Sequence, residues 1–300
     1  MSTNYDFLPN SNLPTREDIV AQGNEVWKQA ALKYTPAGFP LRDAESGDTI
    51  AWVKYGFYVT VREAQTQDFV AKELARDCNL GSSVVQVPRV FDAFRSQRMG
   101  YIVMEYVEGE DCKCTARDIH DVAQAVQRLI AIRGPSLIPG HVGAGYLHTD
   151  SFFWLDGPPT RYNSVEELQD QINIILKFKR DPRRVDIVSE AADGLFLSLC
   201  EIGPKRFRRR ASDGQLFAFD FSTACFLPPP FFAAAMLIVK TRFTVRVVSK
   251  LTCNWGKDVD AIATASQHFM HFGPPRAPAA LPKHLKAGLS SGRPATRSSS

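Results

Sequence analysis

The chain has 300 residues, of which 44% are hydrophobic and 23% are charged, the ordinary balance of a globular protein that can bury a core. Its net charge of +4 is uneven, because residues 1–200 hold 21 basic against 27 acidic side chains and residues 201–300 hold 15 against 5. The N-terminus lacks a basic region followed by an apolar run, and three prolines break the late apolar stretch, so we expect neither secretion nor a membrane span.

Residues 1–15 are polar and predict a loosely held lead-in. Apolar residues recur at helical spacing over 18–34, which predicts a first helix. The run Thr49–Gly56 is rich in β-forming residues and closes on a glycine, and from Val61 the spacing becomes helical again. The simplest prediction for this part of the chain is a strand, a turn and a helix.

Two further β-rich runs, 89–94 and 99–107, are separated by a short polar turn and predict an antiparallel pair. Beyond Gly109 the pattern becomes helical. Thr115 and Ser164 each precede an amphipathic run and have an acidic residue three positions later, which is typical of a helix N-cap.

The stretch 195–232 contains an apolar run, a basic loop, an Asp-Gly turn and a second apolar run. This order predicts two short strands joined by a hairpin, with Glu201 after the first strand and Asp220 at the end of the second. Two carboxylates at neighbouring strand ends suit a metal or phosphate site. The alternative is that Glu201 is a loop residue and Asp220 caps a helix.

Lys54 lies inside the apolar strand and needs an explanation, because an ammonium group is costly to bury without a partner. Glu63, at the start of the next predicted helix, is a candidate partner. In kinase-like folds a strand lysine holds the α- and β-phosphates of ATP while a helix glutamate holds the lysine. The alternative is an edge-strand lysine that points into water.

Three segments, together with the order of Lys54 and Glu63 before them, resemble a known family. They are residues 87–94, the hinge-like 101–109 with Tyr-Ile-Val-Met-Glu-Tyr-Val-Glu-Gly, and 220–232, which begins Asp-Phe-Ser and continues through three prolines. The chain is similar to the aminoglycoside phosphotransferase and choline kinase-like family of the protein kinase-like superfamily, and especially to its fungal members. The resemblance covers about residues 45–275.

The resemblance implies a role for each matching residue. Lys54 matches the phosphate-binding lysine, Glu63 matches its helix partner, and Asp220 matches the aspartate that binds Mg²⁺ between the β- and γ-phosphates. Backbone groups of the hinge would hydrogen-bond adenine, and the hinge residues are Met104, Glu105, Tyr106 and Val107. The implied cofactors are ATP and Mg²⁺, and the candidate for a glycine-rich phosphate loop is 44–49.

The catalytic loop departs from the family pattern, which is His-x-Asp followed five residues after the Asp by Asn. With Pro204 aligned to the family's proline, Glu201 falls on the Asp, Arg206 falls on the Asn, and the His is absent after Cys200. Glu201 is thus the implied catalytic residue, as a carboxylate that accepts the proton of the acceptor hydroxyl. Arg206 cannot bind Mg²⁺, because arginine has only donors and a permanent charge.

Three other features are less informative. His148 and Asp150 have the His-x-Asp form but lie far from Asp220 along the chain, so we interpret them as a loop dipole. The basic run 205–210 is compatible with a site for an anionic substrate or a nuclear localisation signal, and residues 209–212 resemble a phosphorylation site. A solvated hairpin loop is the simplest interpretation. Residues 237–253 have no family counterpart that we recognise, and we interpret them as an inserted strand or a translated intron.

The predicted fold class is α/β (α+β), a two-lobed protein kinase-like fold with an antiparallel small lobe and a larger, mainly helical lobe. The predicted parts are a lead-in with a helix (1–44), a small nucleotide-binding lobe (45–108), a helical catalytic-type lobe (109–273) and a disordered tail (274–300).

The function that the resemblance implies is ATP- and Mg-dependent phosphate transfer to a small hydroxyl-containing molecule. Because the catalytic loop is degenerate, the alternative is a catalytically inactive pseudokinase that binds a nucleotide or a protein. We expect no specific nucleic-acid partner, since no recognised module accompanies the arginines, and the oligomeric state stays open. The scattered cysteines predict reduced thiols and a cytoplasmic location.

Overall fold

The structure is a computed structural model, and it describes residues 5–29, 38–43, 45–77, 84–143, 146–147, 160–252 and 255–272. The predicted tail and the motif at 148–150 lie outside the described residues. Two compact units are present. The first is drawn from described residues within 1–132, 202–222 and 246–251, and the second from those within 133–201, 223–245 and 252–300. Among the helices of these described stretches, none has the length and apolar character needed to cross a membrane.

The first unit contains a four-stranded antiparallel sheet with the strand order β1-β2-β4-β3. One helix precedes the sheet and a second follows β2. The bounds are α1 Arg16–Gln29, β1 Gly38–Arg42, β2 Thr49–Gly56, α2 Val61–Asp77, β3 Val90–Ser96 and β4 Met99–Met104. The strand, turn and helix predicted from Thr49 onward are confirmed, and so is the antiparallel pair that follows them.

Strand β2 has different neighbours on its two faces, and one face is buried while the other is partly buried. Ala51 and Val53 are 0% exposed and pack in a cluster with Ile19 of α1. Successive side chains of a strand point to opposite faces, so Trp52 lies on the other side, where it packs against a cluster that includes Ala64 of α2. The two helices therefore cover opposite faces of the sheet.

The connection from β2 to α2 passes directly over β4. A Cβ atom added to Gly100 would lie 1.9 Å from the carbonyl oxygen of Val59, so only glycine permits this approach. Thr60 then caps α2, because its hydroxyl accepts a hydrogen bond from the backbone N–H of Glu63 at 3.1 Å. Gly100 and Thr60 together determine where the first turn of α2 begins.

A second antiparallel sheet of the first unit has the strand order β10-β9-β5. The bounds are β5 Gly109–Asp111, α3 Ala116–Leu129, β9 Phe207–Arg210 and β10 Leu216–Ala218, and a 3₁₀ turn, Pro204–Arg206, leads into β9. The strand that ends before Asp220 therefore pairs with the basic run, with Ala218 opposite Phe207. The predicted pairing with the apolar run 195–200 is wrong.

The last four residues of the basic run form strand β9 and not a solvated loop, and each of its three arginines pairs with an acid. The contacts are Arg208 with Asp111 at 2.8 Å, Arg209 with Asp121 at 2.9 Å, and Arg210 with Asp213 at 2.6 Å. The hydrogen bonds from Arg210 lower the pKa of Asp213 to about 2. Three of the positive charges that the sequence places here are thus paired within the first unit.

Residues 84–89 connect the two sheets of the first unit. The backbone N–H of Gln86 donates to the carbonyl of Leu216 at 2.9 Å, and the N–H of Ala218 donates to the carbonyl of Gln86 at 2.8 Å. The same segment then enters β3. Asp220, just beyond β10, is therefore positioned by a strand that is hydrogen-bonded to the chain entering the first sheet.

The second unit contains four helices and four short strands within its described residues. The bounds are β6 Tyr146–Leu147, β7 Thr160–Arg161, α4 Val165–Phe178, α5 Ile187–Glu190, β8 Phe196–Ser198, β11 Cys225–Leu227, α6 Pro230–Ile238 and α8 Val259–Phe272. Strand β6 pairs with β7, and β8 pairs with β11, both antiparallel. The apolar run 195–200 thus pairs with the segment after Asp220, whereas β10 before it pairs elsewhere.

The two predicted helix caps are confirmed. The hydroxyl of Thr115 accepts from the N–H of Asp118 at 3.1 Å, and the hydroxyl of Ser164 accepts from the N–H of Glu167 at 3.3 Å. Each cap satisfies a backbone donor that has no partner inside the helix.

The segment 237–253 contains a helix where a strand was one interpretation. Residues Arg242–Val248 form α7, and Phe243, Thr244 and Val247 are buried. Their spacing is helical, and it outweighs the strand preference of the β-branched residues around them. The overall prediction of a mixed α/β chain with antiparallel sheets and several helices is confirmed.

Candidate functional site

Lys54 stands in the middle of β2, an interior strand that pairs with β1 on one side and with β4 on the other. Its side chain is 14% exposed. The Nζ atom donates to Oε1 of Glu63 at 2.5 Å and to Oδ1 of Asp220 at 2.6 Å. The alternative of a water-facing lysine on an edge strand is therefore wrong. One ammonium group joins Glu63, from the next helix, and Asp220, which is 166 residues away in sequence.

Glu63 lies in the first turn of α2, where the helix dipole favours an acid. Its side chain is 2% exposed. Oε2 is buried and has no hydrogen-bond partner within the described structure. A buried carboxylate oxygen without a donor is destabilising by about 1–3 kcal/mol or more, so the placement of Glu63 is not explained by stability alone.

Asp220 occupies a left-handed backbone conformation, with φ of 62°, just after β10. Aspartate tolerates this region better than most residues, because its short side chain can bond to nearby backbone. Here Oδ1 also accepts from the N–H of Ser222 at 3.4 Å. No helix begins at Asp220, since the next one along the chain, α6, starts at Pro230, so the helix-cap alternative is wrong.

Arg206 is a fourth member of the site. Its Nη1 forms an ion pair with Oδ2 of Asp220 and lies 3.5 Å from the carbonyl oxygen of the same residue. The carbonyl of Arg206 accepts from the N–H of Phe219 at 2.8 Å. A backbone hydrogen bond thus holds the arginine beside the aspartate, and we refer to the four residues Lys54, Glu63, Arg206 and Asp220 as the Lys54 cluster.

The Lys54 cluster contains two cations and two anions, and its formal charge is zero. Mg²⁺ binds hard oxygen ligands, usually one or two carboxylates together with water and phosphate. The cluster offers Asp220, and both oxygens of that carboxylate already face a cation. In the part of the chain that the structure describes, no group of three or more His, Cys, Asp or Glu side chains is placed to hold a metal ion. The residues present do not fit the expected Mg²⁺.

The hinge residues Met104–Val107 leave β4 and approach the second sheet. Two of their backbone groups already have partners: the N–H of Glu105 donates to the carbonyl of Arg89 at 2.9 Å, and the carbonyl of Val107 accepts from Nη1 of Arg208 at 3.4 Å. The carboxylate of Glu105 also pairs with Arg89 at 3.1 Å. Any adenine ring that binds here would use the other backbone groups of the segment.

Two residues near the hinge were not singled out from the sequence. The ring of Trp52 stacks against that of Tyr106, with centroids 6.4 Å apart. Gln67, one helical turn after Glu63, donates to the carbonyl of Pro88 at 2.8 Å and is 1% exposed. The sequence could have pointed to Gln67, because it lies four residues after Glu63 and residues four apart on a helix share one face.

The candidate phosphate loop is occupied by its own turn. The carboxylate of Asp43 accepts from the N–H groups of Glu45 and Ser46 at 3.0 and 2.8 Å, and the carbonyl of Asp43 accepts from Gly47 at 3.0 Å. The hydrogen bonds to the carboxylate, that from Ser46 foremost and then that from Glu45, lower the pKa of Asp43. A phosphate-binding loop presents such N–H groups to the ligand, whereas here they are directed at one aspartate.

Glu201 is the carboxylate predicted to accept the proton of the acceptor hydroxyl. It is exposed and lies in the loop between β8 and the 3₁₀ turn. It is the last residue of its stretch of the second unit, and the first unit resumes at Ile202. Lys54, Glu63, Asp220 and Arg206 all belong to the first unit, so the Lys54 cluster is formed within that unit alone.

No known protein-family model matches the sequence, and no curated protein is similar to it. Among solved structures, the chain aligns with a putative fructosamine-3-kinase from Haemophilus somnus 129PT at 14% identity and a TM-score of 0.31, over 83% of this chain and 96% of that one. It also aligns with an ethanolamine kinase from Plasmodium vivax at 8% identity and a TM-score of 0.38, over 95% of this chain and 91% of that one.

Both of these solved proteins are named as kinases. The superpositions are too loose to transfer the role of any residue. Support for a function therefore comes from the geometry of the Lys54 cluster.

Proposed function

We propose that the chain binds ATP as a kinase-like protein, with the phosphates held at the Lys54 cluster. The observation that carries the proposal is the position of Lys54 Nζ, within 2.6 Å of both Glu63 and Asp220 on an interior strand. Lys54 would bind the phosphates, and Glu63 would hold the lysine in place. Lys54 and Asp220 are 166 residues apart in sequence, so local chain geometry does not produce their pairing.

A purely structural role explains the cluster less well. Burying an ion pair is often no more stabilising than burying apolar side chains of similar volume, and the unpaired Oε2 of Glu63 adds a further cost. Strained or costly polar groups concentrate at functional sites, where the ligand completes the set of interactions. A phosphate group would give Lys54 an additional anionic partner at this position.

The hinge is the proposed binding site of the adenine ring of ATP. The resemblance assigns Met104, Glu105, Tyr106 and Val107 to adenine, and the ring pair of Trp52 and Tyr106 supports an aromatic ligand in this region. Trp52 is two residues before Lys54 on the same face of β2, which would place base and phosphates along one strand face.

Two activities are compatible with a bound nucleotide. The first is phosphate transfer to a small hydroxyl-containing molecule, with Glu201 as the proton acceptor; the exposure of this carboxylate favours that role. The second is binding without turnover, as in a pseudokinase. The ion pair between Arg206 and Asp220 favours the second, because it occupies the acid that transfer chemistry would use for a metal.

A thermal-shift measurement tests the proposal. ATP is expected to raise the melting temperature of the native chain and to have no effect on Lys54→Ala. Lys113→Ala is the matched control, because Lys113 is 70% exposed and pairs with an exposed acid in the same unit. Absence of any shift in the native chain, or an equal shift in Lys54→Ala, would contradict the proposal.

A further inference from the structure

Both oxygens of the Asp220 carboxylate face a cation. Oδ1 accepts from Lys54 Nζ at 2.6 Å, and Oδ2 is paired with Nη1 of Arg206. The aspartate side chain is 32% exposed and the arginine 20%, so the pair is partly open to solvent. An anionic ligand that reaches Lys54 therefore meets a second fixed positive charge beside it.

The position of Arg206 is set by its backbone. Its N–H donates to the carbonyl of Gly203 at 3.0 Å inside the 3₁₀ turn, and its carbonyl accepts from Phe219 at 2.8 Å. The second of these bonds comes from the residue next to Asp220. The guanidinium is thus held beside the acid by the same hairpin that positions the acid.

The chemistry of this pair opposes a divalent metal. Mg²⁺ needs oxygen ligands in a near-octahedral arrangement, and at Asp220 it would lie against a guanidinium that carries its charge at every accessible pH. The guanidinium is itself a good partner for phosphate, with which it forms paired, charge-assisted hydrogen bonds.

We infer that the site binds a nucleoside triphosphate without Mg²⁺, because Arg206 supplies at Asp220 the positive charge that the phosphates require. This inference rests on the proposed function, since it takes the nucleotide to bind at the Lys54 cluster. Lys54 and Arg206 contact the phosphates from two sides of Asp220. Binding in this form involves no change of any covalent bond.

The affinity of the native chain for ATP, measured by titration calorimetry, separates the inference from the proposed function. The titration is run with excess EDTA and again with Mg²⁺, at equal ionic strength, because screening alters the attraction between exposed charges. The expected dissociation constants agree within about threefold. A loss of about tenfold or more in EDTA overturns the inference and leaves the proposed function standing. No binding under either condition overturns both.

The variant Arg206→Asn is expected to make the affinity for ATP depend on Mg²⁺. It removes the fixed charge and introduces an amide oxygen, a group that binds divalent cations, beside Asp220. This variant is expected to bind ATP at least about tenfold more weakly than the native chain in EDTA and to recover affinity when Mg²⁺ is added. Lys205→Asn is the matched control, because Lys205 is the exposed neighbour in the same turn, and it is expected to bind as the native chain does. Native-like, Mg-independent affinity in Arg206→Asn would overturn the inference.

Discussion

Replacement of Lys54 by methionine isolates the energetic role of the ammonium group. Methionine has a similar length and is apolar, so the packing of β2 is largely kept while the charge is lost. Asp220 keeps its ion pair with Arg206, but Glu63 is left without the donor to its Oε1. The consequence is a carboxylate that is 2% exposed and has no donor on either oxygen within the described structure.

The size of the effect follows from this geometry. Removing one partner of a buried ion pair costs about 3–5 kcal/mol. The lysine is itself 14% exposed, so water can reach part of the vacated space, and we take the lower value of about 3 kcal/mol. In a unit of 150–250 residues this corresponds to a decrease of about 6–12 °C in melting temperature.

The control is the double replacement Lys54→Met with Glu63→Leu, which removes the buried charge together with its partner. Apolar pairs of similar volume are often as stable as the ion pair that they replace, so the double variant is expected to regain most of the loss. Thermal melting of the native chain and both variants, followed by circular dichroism, measures the difference. A double variant as unstable as the single one would refute the reasoning, because the loss would then not come from the unpaired carboxylate.

Two further predictions concern the same unit. Gly100→Ala is expected to destabilise the chain by about 1–3 kcal/mol, because its Cβ collides with the carbonyl oxygen of Val59. Gly56→Ala on the facing strand makes only an ordinary contact at 3.5 Å and is expected to cost about 0–1 kcal/mol. Urea unfolding compares the two variants, and equal losses of stability would contradict the steric argument. Burial raises the pKa of Cys112 to about 11. At pH 8 this thiol is therefore expected to react with iodoacetamide much more slowly than the exposed Cys114. Peptide mass spectrometry measures the two rates, and equal rates would contradict the burial of Cys112.

The elements that depend on local patterns were predictable from the sequence. Thr115 and Ser164 cap helices because hydroxyl and backbone N–H are three residues apart, and this relation can be read directly from the chain. The run of β-forming residues that predicted β2 was equally local. These features depend on neighbouring residues, so tertiary contacts were not needed to find them.

The errors concern residues whose partners lie far away in sequence. The arginines of β9 suggested a solvated loop, because the acids that pair with Arg208 and Arg209 belong to β5 and α3. The strand was one of two interpretations of the segment that contains α7, and it is wrong because intrinsic preference is a weak guide, which the burial of Phe243 and Val247 outweighs. The contact of Arg206 with Asp220 likewise arises only once β9 and β10 are paired in register.

The most direct test of ATP binding at the Lys54 cluster uses an acyl-phosphate derivative of ATP, which acylates a lysine amine close to the terminal phosphate. The labelled chain is digested and its modified lysines are identified by mass spectrometry, with and without an excess of ATP. The proposed function predicts that Lys54 is labelled and that ATP suppresses this labelling, while the exposed Lys113 is labelled equally in both samples. Labelling that excludes Lys54, or that ATP leaves unchanged there, would contradict the proposal.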